Sequence, residues 1–196
     1  MAENGTEKGF YWALVAGAAI CTLAVVAFLL PVIQNAPGID LIALLLIAVG
    51  VAETAAGWAR RERRTGRAAR LAGVVAILVG IVFLALPWMD VVTASYLIML
   101  WLFIRGALLL YASVPWQDPE HAWLAVTGLA DVGLGLVLLL GLPVTGLTLS
   151  LFGPTPEIIA NFSLIVAASF VVAGLSLIVM SLHERSTLNN STNSFA

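Results

Sequence analysis

Six long apolar runs constrain this chain more than any other feature. A helix needs roughly 17–25 mostly apolar residues to cross a bilayer, and hydrophobic residues make up 61% of the 196-residue chain, against 10% for charged residues. The mean hydropathy of +1.05 lies outside the range of soluble globular domains. The sequence therefore predicts an all-α integral membrane protein with six transmembrane helices. The six runs are Phe10–Leu30, Asp40–Trp58, Ala68–Leu86, Asp90–Ser113, Ala122–Leu142 and Glu157–His183.

Little of the chain remains outside these runs. We expect a short N-terminal segment at 1–9, a single transmembrane domain at 10–185 and a polar, disordered tail at 186–196. The flank MAENGTEKG has one lysine against two glutamates, and no cleavage site stands out after it. The first run is therefore interpreted as a retained helix rather than a cleaved signal peptide.

Positive charge is concentrated in the link RRERRTGRAAR, between the second and third runs. Six of the nine Lys and Arg residues lie there. The positive-inside rule places such a link in the cytoplasm, and with six spans both termini are then cytoplasmic as well.

The same arginine-rich link is interpreted as a contact for anionic membrane lipids. Binding of nucleic acid or of a protein is the alternative for such a cluster; we expect no nucleic-acid partner. Its arginines are Arg60, Arg61, Arg63, Arg64, Arg67 and Arg70.

Three prolines indicate an internal repeat. Pro31, Pro87 and Pro143 are spaced 56 residues apart and are each predicted to close an odd-numbered helix. The chain is therefore divided into three tandem helical hairpins, at about 10–58, 68–113 and 122–183. Successive hairpins then share one orientation, which allows a pseudo-threefold axis normal to the membrane.

Glycines recur at matching positions of the repeat. In the odd-numbered helices small residues stand seven apart, close to two helical turns, so that each pair shares a face on which another helix can approach closely. In the even-numbered helices Gly50 and Gly106 are also 56 residues apart. The predicted helix-packing glycines are Gly17, Gly50, Gly73, Gly80, Gly106, Gly128, Gly135 and Gly174.

The third hairpin contains an insertion of about twelve residues, at 144–156. Leu147, Leu149 and Leu151 alternate there with Thr148 and Ser150. This alternation predicts an interfacial or partly extended segment outside the membrane.

The repeat resembles a known family. Three tandem hairpins with glycine-rich first helices are similar to the HdeD family of bacterial acid-resistance membrane proteins, and WLAVTGLADVGLGLVLLLGLP resembles its fifth helix. The matching positions are Trp123, Leu124, Gly128, Asp131 and Pro143. The resemblance implies a stress-resistance role in the bacterial cytoplasmic membrane, and it supplies no catalytic residue.

Three charged residues lie inside apolar runs, where a charge is costly unless it pairs or faces water. From a helical rise of about 1.5 Å per residue, we expect Glu53, Arg105 and Asp131 in the cytoplasmic half of the membrane at overlapping depths. Arg105 is predicted to pair with Asp131, Glu53 or both. One interpretation is that the cluster fixes the arrangement of the helices. The other is that one carboxylate takes up a proton as the pH falls. In the sixth run, Asn161, Ser163 and Ser169 are expected to serve helix packing.

The sequence contains no recognisable enzyme motif: it has no glycine-rich phosphate loop and no clustered His and Cys. We therefore expect no catalytic residue, no metal and no cofactor. The predicted function is that of a non-enzymatic membrane protein of the acid- or stress-resistance type, acting through lipid, homo-oligomerisation or other membrane proteins. The alternative is a small transporter or proton-conducting channel along Glu53, Arg105 and Asp131.

Overall fold

The computed structural model describes the backbone of residues 3–29, 38–59, 64–86, 89, 91–114, 119–152 and 156–193. Side chains are described at 11–29, 40–58, 65–86, 89, 92–114, 121–141, 143 and 164–182. The described residues form six helices and no strand, so the predicted all-helical class is confirmed. They are α1 (Glu3–Leu29), α2 (Gly38–Ala59), α3 (Arg64–Ala85), α4 (Val91–Ala112), α5 (Pro119–Phe152) and α6 (Pro156–Asn193).

Each helix contains a segment long and apolar enough to cross a bilayer. Large apolar side chains also cover the outside of the bundle; Leu140, for example, is 77% exposed and Tyr111 is 71% exposed. Such an exterior costs free energy in water and none in lipid. The chain is therefore a multi-pass membrane protein. The six spanning segments are Tyr11–Leu29, Asp40–Trp58, Thr65–Ala85, Val92–Ala112, His121–Gly141 and Leu164–Leu182.

The six helices form a closed ring. Each helix packs on the next one along the chain, and α6 packs on α1. The most extensive contacts are those of α2 with α3, α1 with α6 and α4 with α5, whereas contacts within the hairpins α1–α2, α3–α4 and α5–α6 are smaller. The tightest helix pairs thus join successive repeats, and the pair α1–α6 joins the last repeat to the first.

Glycines explain why these three pairs are the tight ones. A Cβ atom added to Gly50 would lie 2.6 Å from the carbonyl oxygen of Gly73. One added to Gly106 would lie 2.8 Å from that of Gly128. Since no side chain separates the backbones, the helices approach until the main chains touch. We call these contacts the glycine seams; they are Gly50–Gly73 (α2–α3), Gly106–Gly128 (α4–α5) and Gly17–Gly174 (α1–α6).

The α2–α3 seam repeats its close approach at intervals of seven residues. On one side of the Gly50–Gly73 contact, an added Cβ on Gly80 would lie 2.8 Å from the Ala43 carbonyl oxygen. On the other side, an added Cβ on Gly57 would lie 2.7 Å from the carbonyl oxygen of Gly66. Seven residues make nearly two turns, so all three contacts fall on one stripe of each helix. Gly135 is different, because its nearest neighbour would be the Phe103 ring at 3.2 Å rather than a backbone.

The predictions that Pro143 closes the fifth helix and that a partly extended segment follows it are wrong. Pro143 lies inside α5, which continues to Phe152. Proline removes one hydrogen bond to the carbonyl four residues earlier, but its fixed φ is compatible with a helix. Next to a membrane, ending the helix would expose several backbone carbonyls, and continuing it loses a single bond. The insertion therefore lengthens α5 as far as Phe152.

The tail expected to be disordered at 186–196 is also helical, as far as Asn193. Each residue added to an existing helix gains a backbone hydrogen bond without a new nucleation cost, which accounts for the extension of α6 beyond its apolar span. The helix-closing prolines Pro31 and Pro87 lie outside the described residues.

Candidate functional site

Arg105 on α4 lies between two carboxylates. Its Nη2 donates to Glu53 Oε1 on α2, and its Nη1 donates to Asp131 Oδ2 on α5. The Nε of Arg105 also lies 3.5 Å from Glu53 Oε2. The three residues predicted from their depth are thus brought together. All are almost excluded from solvent, with exposed fractions of 5% for Glu53, 1% for Arg105 and 0% for Asp131.

Ser169 on α6 completes the arrangement. Its hydroxyl accepts a hydrogen bond from Arg105 Nη1 at 3.1 Å and donates one to Asp131 Oδ1 at 2.7 Å. We call these four side chains the ionic cluster. It links α2, α4, α5 and α6, and its net charge is −1 when both carboxylates are ionised.

The two carboxylates differ in their surroundings. Both oxygens of Asp131 accept hydrogen bonds within the cluster, from Arg105 and Ser169, and the side chain is fully enclosed. Glu53 accepts only from Arg105 and borders a cavity. Of the five N–H groups of a guanidinium, four have partners in the cluster, which leaves one N–H of Arg105 Nη2.

Aromatic side chains close one side of the cluster. The Cζ atom of Arg105 lies 5.7 Å from the centre of the Trp101 ring, within the range of a cation–π contact. The Trp101 ring meets Phe170 edge to face, with 6.2 Å between centroids. Both rings are fully buried, and with Val49 and Val166 they fill the bundle on the side away from the arginine-rich link. Within the described part of the chain, the Nε1 atom of Trp101 has no hydrogen-bond partner.

A cavity of about 40 Å³ lies on the other side of the cluster, toward the end of the bundle at which α2 is connected to α3. A water molecule needs roughly 10–15 Å³ of such space, so that the cavity has room for about three waters. Its polar lining consists of Glu53, Arg105, Thr65, Thr127 and Ser176. The Thr65 hydroxyl is buried, with 5% of the residue exposed, and has no hydrogen-bond partner among the described residues.

Equivalent positions of the three predicted repeats line the cavity. Glu53 stands three residues after Gly50, and the corresponding positions after Gly106 and Gly174 are Leu109 and Leu177. All three of these side chains line the cavity. Each repeat therefore contributes one side chain at this position to the wall of the cavity. Two of the three are leucines, and the glutamate of the first repeat gives the cavity its carboxylate.

The arginines of the α2–α3 link are only partly described. Arg67 is exposed. Arg70 donates from Nε to the Gly66 carbonyl oxygen at 3.3 Å, and its Cζ lies 5.6 Å from the Trp58 ring centre. It is therefore engaged with its own bundle as well as being placed near the membrane surface. Arg60, Arg61, Arg63 and the side chain of Arg64 lie outside the described residues.

The structure adds roles that sequence reasoning did not assign. Ser169, expected to serve packing alone, belongs to the ionic cluster, whereas the side chains of Asn161 and Ser163 lie outside the described residues. Thr65 and Trp101 were not singled out at all. A hydroxyl within an apolar helix was a signal for Ser169, but nothing in the sequence pairs that helix with Arg105.

Among the described residues, no group of three or more His, Cys, Asp or Glu side chains is arranged to hold a metal ion. Glu53 and Asp131 are separated by the Arg105 guanidinium, which occupies the place that a cation would take between them. The arrangement suits charge compensation and proton exchange rather than metal binding.

Comparison with known proteins gives one partial match. Residues 71–140 match a family model described as a short repeat of unknown function, DUF308. No curated protein and no solved structure matches the chain. The matched region extends from α3 to α5 and includes Arg105 and Asp131. This part of the membrane bundle is therefore similar to the DUF308 short repeat.

Proposed function

We propose that this multi-pass membrane protein is a non-enzymatic component of acid or stress resistance in the bacterial cytoplasmic membrane. It acts through lipid, through oligomerisation or through other membrane proteins, with the arginine-rich link and both termini in the cytoplasm. The acid-resistance role rests on the resemblance to the HdeD family, and the match of residues 71–140 to the DUF308 repeat supports a protein built from such repeats.

The enclosure of the ionic cluster is the observation that favours a non-enzymatic role. Arg105 has partners on both sides, and Trp101 and Phe170 close the cluster toward one face of the membrane. An enzyme needs its reacting groups within reach of a substrate. The cavity beside Glu53 is large enough for a few waters and too small for an organic substrate.

The same enclosure argues against continuous conduction. Water-sized space reaches Glu53 from one side, but fully buried apolar side chains fill the bundle on the other. A channel or carrier requires a path or an alternating opening to both faces. We therefore favour a protein that responds to protons over one that transports them.

Acid survival of bacteria tests this function. Cells lacking the gene should survive an acid challenge less well than cells carrying it, and the wild-type gene should restore survival. Glu53→Gln should restore it poorly, whereas Asp40→Asn, which removes a carboxylate from the first turn of α2 outside the cluster, should restore it fully. Equal survival with and without the gene would contradict the proposed role.

A further inference from the structure

The cavity beside Glu53 is lined mostly by apolar side chains, and most of its few polar groups can accept hydrogen bonds. The hydroxyls of Thr127 and Ser176 donate to carbonyl oxygens of their own helices, Trp123 at 2.9 Å and Ala173 at 2.8 Å. A hydroxyl has one hydrogen to donate, so each offers only its lone pairs to the cavity. Glu53 adds carboxylate oxygens. Small molecules that donate hydrogen bonds, such as water, therefore fit this lining.

The Thr65 hydroxyl independently points to an occupant. It is buried, lines the cavity and has no partner among the described residues. Buried polar groups without a protein partner are commonly satisfied by internal water, and leaving one unsatisfied costs about 1–3 kcal/mol. Waters in this cavity can bond to Thr65 at one end and to Glu53 at the other.

The charges of the cluster give this water a further role. One guanidinium faces two carboxylates, so one negative charge is uncompensated at membrane depth when both carboxylates are ionised. Among the described side chains, Arg105 on α4 and Asp131 on α5 are the charged groups in the cluster with Glu53. On the other helices, α3 presents Thr65 and α6 presents Ser169 and Ser176. On α1, Cys21 instead lies against Gly174 of α6.

We propose that Glu53 and the water-filled cavity form an internal proton-binding site, opening toward the membrane face at which α2 is connected to α3. A proton passes from a hydronium ion in the cavity to a carboxylate oxygen of Glu53, leaving a neutral carboxyl group and a water molecule. The net charge of the cluster changes from −1 to 0, and Arg105 keeps its pair with Asp131.

Glu53, rather than Asp131, is the acceptor because of the partners available to a protonated carboxyl. A protonated carboxyl must donate a hydrogen bond. Both oxygens of each carboxylate face donors of the cluster: Arg105 Nη1 and the Ser169 hydroxyl at Asp131, and Arg105 Nη2 and Nε at Glu53. Of the two carboxylates, Glu53 lines the cavity and Asp131 does not. A proton on Glu53 has cavity water as its acceptor. For its physiological meaning this site rests on the proposed acid-response function, but its chemistry is independent of that function.

Infrared difference spectroscopy of the full-length protein in lipid vesicles, between neutral and acidic pH, tests the proposal. The wild type should develop a band of a buried protonated carboxyl group at acidic pH. Glu53→Gln should abolish this band, and Asp40→Asn should retain it. Loss of the band in Asp131→Asn with retention in Glu53→Gln would overturn the assignment, as would absence of any such band in the wild type.

Thr65→Val keeps every charge and nearly the same shape while removing the unpartnered hydroxyl, so it tests the site even if Glu53→Gln fails to fold. The carboxyl band should still appear, but its shift on transfer to D₂O should be slower than in the wild type, because exchange proceeds through the cavity water. An unchanged exchange rate would overturn the proposed water path.

If the Glu53 band appears while acid survival does not depend on the gene, the proton site stands and the proposed function fails.

Discussion

The three glycine seams join all six helices in pairs, whereas the ionic cluster joins four of them. At a seam, two backbones touch because glycine leaves nothing between them, and the contact recurs in each repeat. At the cluster, side chains from four helices meet once, at positions where the other repeats have apolar residues. Arg105 directly precedes the seam glycine Gly106. The residues that precede the seam glycines in the other repeats are Val49 and Ala173. The seams therefore determine which helices pack tightly as neighbours in the ring. The cluster adds a contact that only α2, α4, α5 and α6 share.

The energetics of the two differ accordingly. Close packing of small residues gains dispersion contacts over an extended stripe, with little side-chain entropy lost. A buried ion pair costs desolvation that its attraction only partly offsets, and removing one partner leaves a buried charge alone. The seams should therefore be sensitive to added volume, and the cluster to unbalanced charge.

The largest effect is expected when the cluster loses its cation. Arg105→Met leaves two carboxylates buried without a counter-charge, and the free energy of unfolding should fall by about 3–5 kcal/mol. Denaturant titration of the protein in detergent, followed by tryptophan fluorescence, measures this loss.

The matched variant removes all charges together. Glu53→Met, Arg105→Met and Asp131→Leu, combined in one chain, should recover most of the stability lost in Arg105→Met, because apolar groups of similar volume often replace a buried ionic cluster at little cost. If the combined variant were as unstable as Arg105→Met, packing of the arginine rather than charge balance would explain its importance.

A smaller effect is expected at a seam. The added methyl group of Gly73→Ala would lie 2.8 Å from the Thr54 backbone nitrogen, so α2 and α3 must separate. Overpacking of this kind costs about 1–3 kcal/mol.

Gly133→Ala on α5 is the control, since nothing lies within 4 Å of its added Cβ. It should leave the free energy of unfolding unchanged or raise it by up to about 1 kcal/mol, because alanine favours the helix. Equal destabilisation by both substitutions, in the same denaturant titration, would contradict the seam.

The sequence predicts the helices and their glycine faces better than it predicts the ionic cluster. Each of the six predicted runs overlaps a helix that is long and apolar enough to cross a membrane, because a run of mostly apolar residues is a local property of the sequence. The glycines mark which helix faces can approach closely. The pairing of Gly17 with Gly174 depends on how the ring closes, which joins opposite ends of the chain and is not encoded in any local pattern.

The cluster could be predicted in part. Helical rise and a common membrane end place Glu53, Arg105 and Asp131 at similar depths, and the cost of isolated charges in lipid requires partners. Neither argument identifies Ser169 or the cavity beside Thr65. The position of Ser169 and the presence of the cavity depend on how each helix is rotated about its own axis, which these arguments do not predict. The prediction at Pro143 was wrong because proline is a strong local signal for the end of a helix. Near a membrane, the requirement for backbone hydrogen bonds outweighs that signal, and the helix continues.

In the proposed arrangement the ionic cluster exchanges protons with one side of the membrane and does not connect the two sides. Proton flux into vesicles that contain the purified protein and an internal pH-sensitive dye tests it most directly. A pH gradient should decay no faster in these vesicles than in protein-free ones, for the wild type and for Asp131→Asn alike. A protein-dependent proton flux that Asp131→Asn abolishes would contradict the claim and establish a conducting path through the cluster.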